Sequence, residues 1–171
     1  MEEKQFKPLT KVQLVSYGLG DMASQFVWTF VGSYLTVFYS DIVGLAPAAI
    51  SAIMLIARIW DAINDPMMGA IAERTHSKWG RFRPYIAFGC PFLALFGVLT
   101  FTAPFGNGTT GVIWAAVTYI IAGMLYTLVN IPYSSLAAVM TTDANERNML
   151  NSFRSAGMFV GMLIINFAAS N

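Results

Sequence analysis

One cysteine and one histidine occur in 171 residues, and only 11% of the chain is charged. The single thiol, Cys90, leaves no intrachain disulfide to form, and its apolar setting in CPFLALFG reads as a small buried hydrophobe. No HExxH or CxxC pattern is present, and neither is GxxxxGK[ST], which argues against an ATP-driven pump encoded in this stretch. Ten bases against nine acids give a net charge of +1, too little for the basic field that nucleic acid requires. The polar opening MEEKQFKPLTK lacks an adjacent apolar h-region and a small-residue cleavage site. The first hydrophobic span is therefore expected to act as its own insertion signal.

What fills the chain instead is hydrophobic, 56% by count, where a soluble domain carries about 25% charged residues. Five stretches are long and apolar enough to span a bilayer: about 14–39, 47–72, 85–103, 111–140 and 152–171. The expected fold is an all-α membrane bundle. Bases crowd alternate connectors: Lys4, Lys7 and Lys11 at the start, Arg74, Lys78, Arg81 and Arg83 after the second span, Arg147 and Arg154 near the fifth. The connectors SDIVGLAP and PFGNGTTG hold none, so the positive-inside rule puts the N-terminus in the cytoplasm. Five spans make an unclosed set, and alternating access normally needs two repeats moving against each other. The chain is expected to be a piece of a larger carrier, with a second transmembrane half absent.

The second span contains Arg58, Asp61 and Asp65, whose i, i+3, i+7 spacing sets them on roughly one helical face. Facing lipid they would be very costly, so this face should line a protein interior or an aqueous path. Asp61, Asp65 and the amide of Asn64 are hard oxygen donors for a monovalent cation, Na+, and the carboxylate pair alone suits a proton. Pro66 denies the helix one hydrogen bond and frees a carbonyl near Asp61 or Ala62. The plainer alternative is that Arg58 simply neutralises Asp61 as a buried pair. In the first span, Asp21, followed by Ser24 and Gln25, either lines the same cavity or snorkels and caps near the cytoplasmic side.

The fourth span carries Tyr119, Tyr126, Thr127, Asn130 and Tyr133, with Pro132 placed to kink it. An amide and hydroxyls beside aromatic rings suit a neutral polyol, because hydrogen bonds read hydroxyls and rings stack on a sugar's apolar face. The same residues also serve as ordinary interhelical glue. Trp28 and Trp60 are equally readable as ligand platforms or as packing. Gly157 and Gly161 have the small-xxx-small spacing of a close helix crossing, without implying a dimer. His76, in the basic connector RTHSKWGRFRP, reads as an exposed residue, and the connector's bases can meet anionic lipid, helix C-termini or acids of a moving domain. In TTDANERN, Thr142 or Asp143 is expected to cap the fifth helix, Glu146 completing a capping box with Asp143.

The runs YGLGD, ARIWDAINDPMMGAIAERTHSKWGRFRPY and TYIIAGMLYTLVNIPYSSL together resemble the glycoside-pentoside-hexuronide:cation symporters. The resemblance implies a major-facilitator fold of about twelve spans, of which this chain would be most of the N-terminal half. It implies a cation site at Asp61 and Asp65 with Arg58 nearby and with Thr127 and Gly123 contributed by the fourth helix, and a sugar-holding role for Arg154. The family's melibiose permeases have acids where this chain has Gln25 and Asn130, and an aromatic residue where it has Ser134, so an α-galactoside site is not expected. The expected function is secondary symport of a glycoside, pentoside or hexuronide with Na+ or H+ in a bacterial inner membrane. No cofactor and no covalent change of the solute are expected, so the protein is not read as an enzyme. A non-transporting sugar-binding membrane module is the alternative.

Overall fold

The computed structural model describes residues 9–169, which form five α-helices and no strand. They are α1 (Lys11–Val37), α2 (Pro47–Arg74), α3 (Arg83–Thr100), α4 (Thr109–Met140) and α5 (Ala144–Ala169). Lys4, Lys7 and the last two residues of the fifth expected span lie outside the described residues. Local chemistry sets most of the helix starts. Thr10 and Gln13 make a reciprocal capping box on α1, and Pro47 and Pro84 occupy the first turns of α2 and α3, where a missing N–H costs nothing.

Three of the helices, α2, α3 and α4, are long and apolar enough to cross a membrane by length and composition among the described residues. α1 and α5 match them in length, but their polar residues, Asp21, Ser24 and Gln25 in α1 and Asn145 to Arg154 in α5, lower their hydropathy. Of these, Asp21 and Arg154 are turned toward one another, as described below.

Packing is set by non-neighbours in the sequence. α1 lies on α5, α4 lies on both α2 and α3, and α1 crosses α3 and α4 at the centre. α1 and α5 run parallel, because Gly18 faces Gly157 and Met22 faces Gly161. A β-carbon on Gly157 would run into the carbonyl of Gly18, and one on Gly18 would sit 2.6 Å from the carbonyl oxygen of Phe153. Only hydrogen fits at this crossing, so the expected small-residue contact is intramolecular. Past α1 the chain widens into a π-helical turn, Phe38–Ile42. This turn buries Tyr39, whose hydroxyl lies 3.3 Å from the carbonyls of both Thr100 and Ala115 and so joins α3 to α4.

Two expectations fail here. Cys90 is exposed, because Gly89 is the residue that α3 presses into Leu128 and Val129 of α4, and the next side chain is turned about 100° away. α5 begins eight residues before the expected span. Asp143 does cap it, accepting from the amides of Asn145 and Glu146, but Glu146 does not close a box. Its carboxylate instead accepts from the Thr141 hydroxyl at 2.5 Å and from the Leu9 amide at 3.0 Å, tying the start of α1 to the start of α5. His76 is exposed as expected.

Gly157→Val is expected to lower stability by about 3 kcal/mol, an overpacking cost borne by backbone that cannot give way. Gly32→Ala, on the same α1 but with nothing within 4 Å of the added carbon, should be neutral or slightly stabilising. Thermal unfolding of the two variants in detergent checks the contrast.

Candidate functional site

Two polar constellations face each other across α4. The first joins α2 to α4, which run parallel with a constant offset: Asp61 meets Gly123, Asp65 meets Thr127, and Gly69 meets Ile131. Four-residue steps on both helices keep each pair one turn above the last. The Thr127 hydroxyl donates to Asp65 Oδ1 at 2.8 Å. Asp61 lies so close to the α4 backbone that a β-carbon at Gly123 would stand 3.3 Å from its Oδ1. Glycine there lets a carboxylate approach the helix. Arg58 reaches Asp61 only at 3.8 Å with its side chain 70% exposed, so the pair is loose and leaves most of the Asp61 charge available.

Asn64 behaves differently from its expected companions. It is buried in the seam between α2 and α4, makes no hydrogen bond to either carboxylate, and its amide nitrogen has no partner among the described residues. The 100° between successive helical residues explains this: α2 turns Ile53, Ala57 and Asn64 inward, which leaves Arg58 and Asp65 on its open side.

The second constellation joins α1, α4 and α5. Asp21 is 1% exposed and receives the Arg154 Nε at 3.1 Å. Arg154 continues to the Asn130 Oδ1 at 3.4 Å, the Asn130 amide donates to the Tyr126 hydroxyl at 3.0 Å, and Gln25 donates to that same hydroxyl at 3.4 Å. Asp21 therefore neither snorkels nor caps. It is the fixed end of a chain that links all five residues expected around a substrate: Asp21, Gln25, Tyr126, Asn130 and Arg154. The Tyr126 oxygen accepts twice and its proton has no acceptor among the described residues, and Asp21 Oδ2 is likewise without a donor. Ser24 takes no part, bonding back to the Gly20 carbonyl within α1.

Aromatic residues wall both sets. Trp28 stacks on Tyr126 with centroids 4.4 Å apart and lies parallel to Tyr119 at 6.4 Å. Tyr17 stacks on Tyr133 at 4.8 Å, and each hydroxyl donates to the other's backbone carbonyl. The Arg154 guanidinium stands 5.9 Å from the Tyr133 ring centre. Tyr17 had no signal in the sequence beyond its helical spacing; its pairing depends on Gly20, where a β-carbon would collide with the Tyr133 phenol. Trp60 is partly exposed and joins neither stack. Among the described residues, no group of three or more His, Cys, Asp or Glu is gathered as a metal site.

The described helices thus pair in parallel, α1 with α5 and α2 with α4, with two carboxylates on one side of α4 and a hydrogen-bonded polar chain on the other. Residues 16–171 match the family model described as MFS/sugar transport protein, and the chain belongs to that family, within the glycoside-pentoside-hexuronide:cation symporters that its motifs resemble. It is 40% identical over 146 residues to the inner membrane symporter YicJ of Escherichia coli (strain K12), covering 85% of this chain and 32% of that protein. It is 38% identical over 158 residues to the putative glycoside/cation symporter YagG of the same organism, covering 92% of this chain and 34% of that one. The isoprimeverose transporter of Lactiplantibacillus pentosus is 41% identical over 157 residues, covering 90% and 32%. The chain thus spans about a third of the length of the curated relatives it matches.

Asp21→Asn and Arg154→Gln should each destabilise the protein more than the double variant does, since each alone leaves an unbalanced charge in the α1–α5 seam. A double-mutant cycle on apparent unfolding temperature is expected to give a coupling of about 1–3 kcal/mol, and simple additivity would refute the pairing.

Proposed function

We propose that this chain is the N-terminal, ion-binding part of a bacterial inner-membrane symporter that drives sugar uptake with Na+ or H+. The observation that carries the reading is the Asp61–Gly123 and Asp65–Thr127 register, which sets two membrane-embedded carboxylates against the helix that also carries Tyr126 and Asn130. In this reading Asp61 and Asp65 hold the ion, Thr127 orients Asp65, and the carbonyl that Pro66 deprives of its helical hydrogen bond is a further oxygen donor. Asn64 serves as packing within the seam rather than as a direct ligand. All five helices cross the membrane, with the start of α1 in the cytoplasm, and a second transmembrane half closes the cavity.

The sugar is held by the chain from Gln25 through Tyr126 and Asn130 to Arg154, stacked against Trp28. The Tyr126 proton is free to donate to a sugar oxygen. Because Asp21 already balances Arg154, this wall offers hydrogen bonds and little net charge, which suits a neutral glycoside or pentoside better than a uronate. The solute crosses without covalent change. Ion and sugar each improve the other's binding by the same factor, as linkage requires.

Uptake of labelled pentosides, glycosides and uronides by the full-length parent in sealed vesicles, with Na+ and H+ gradients imposed separately, tests this. Accumulation should follow one ion and favour a neutral sugar, and Asp65→Asn should abolish it. Thr127→Val, equal in volume but without the hydroxyl, should raise the ion concentration for half-maximal uptake about tenfold. Full accumulation in Asp65→Asn would move the coupling site elsewhere.

A further inference from the structure

The basic connector between α2 and α3 has no part in either polar constellation, yet it forms one wall of a wide cavity. This space of about 840 Å³ lies where α1 and α3 begin and α4 ends. Lys78, Arg81 and Arg83 line one side of it, and none of the three has an ion pair among the described residues. No acid lines the cavity among the described residues. Gly80, at φ 93°, turns the connector back on itself and is held by the Ser77 hydroxyl, which donates to its carbonyl. The N-terminus of α3 opens beside these bases without a side-chain cap, adding its unpaired amides to the positive field.

The opposite wall is largely apolar, with Gln13 and Ser16 among its residues. Val12, Leu136, Val139 and Met140 line it, and Trp79 stands at the rim stacked on Phe88. Val12, Trp79 and Val139 are 74%, 59% and 54% exposed. A pocket for a soluble anion gains nothing from exposed hydrophobic walls at the end of membrane-length helices. A headgroup phosphate beside three bases with an acyl chain running along α1 and α4 satisfies both walls at once.

We propose that this cavity is a binding site for an anionic phospholipid of the leaflet facing the α2–α3 connector. The phosphate sits among Lys78, Arg81 and Arg83, Trp79 lies at headgroup level, and the acyl chain covers Val12 and Val139. The cavity is lined in part by the Tyr17–Tyr133 stack but by none of the residues assigned to the ion or the sugar, and it stands whether or not the transport reading does.

The test reconstitutes the full-length parent with photoactivatable phosphatidylglycerol or with phosphatidylcholine carrying the same chains, and maps the crosslinked peptides. Phosphatidylglycerol should label peptides containing Val12, Trp79 or Val139 about tenfold more than phosphatidylcholine. The triple variant Lys78→Gln, Arg81→Gln, Arg83→Gln should erase the difference, with an unchanged elution profile showing that it is folded. Should the triple variant fail to fold, Val139→Ser in the intact basic site gives the second reading: reduced labelling at that wall supports the lipid. Equal labelling by both lipids overturns the proposal. So does absence of labelling, which would mean that another part of the protein fills the cavity. Protection by millimolar inorganic phosphate would overturn it in favour of a soluble anion.

Discussion

Contact between the backbones of α1 and α5 at Gly18 and Gly157 is the constraint on which the polar interior rests. Arg154 lies three residues before Gly157 and Asp21 three after Gly18, so the two helices must nearly touch for these side chains to meet at 3.1 Å. A buried carboxylate without its cation is costly by several kcal/mol, and the cation without the carboxylate is costly too. Close packing therefore comes first in the physical argument, and the ion pair exploits it. Further along, Gly161 against Met22 keeps the crossing shallow, so that contact extends over several turns rather than one point.

The α2–α4 seam solves the opposite problem. Here charge is left available instead of neutralised: Asp65 has a neutral hydroxyl partner, and Arg58 stays outside, long and loose against Asp61. A tight guanidinium pair would compete with any cation for the same oxygens. Thr127 holds the carboxylate in place without supplying a charge, and Gly123 lets the other carboxylate lie against the α4 backbone with no side chain between.

Much of this was legible in the residues. Intramembrane acids at i and i+4 announce themselves, because nothing apolar explains them, and the glycine spacing in α5 pointed to a close crossing. What the sequence could not reveal was rotation. Asn64 lies beside Asp65 in the chain, but a 100° turn separates them in space, and no local signal says which of the two meets α4 edge-on. Cys90 fails for the same reason beside Gly89. Glu146 carried a capping-box spacing, yet the Thr141 hydroxyl and the Leu9 amide, 137 residues away, offered partners that no local pattern contains. The polar TTDANERN run read as a connector although α5 already begins at Ala144, because its Asn145, Arg147 and Asn148 side chains face outward and give no apolar stripe.

Neighbouring residues on α4 serve the two walls: Thr127 meets α2, and Tyr126 meets α1. Trp28 closes the gap, stacked on Tyr126 while its far edge lies close to where a β-carbon on Gly123 would reach, beside Asp61. A rigid helix with two occupied faces cannot shift for one partner without moving relative to the other. Rotation of α4 that strained the Thr127–Asp65 bond would also pull the Tyr126 ring from Trp28 and from the amide of Gln25. Communication between the two walls thus needs no long relay, only the stiffness of one helical turn.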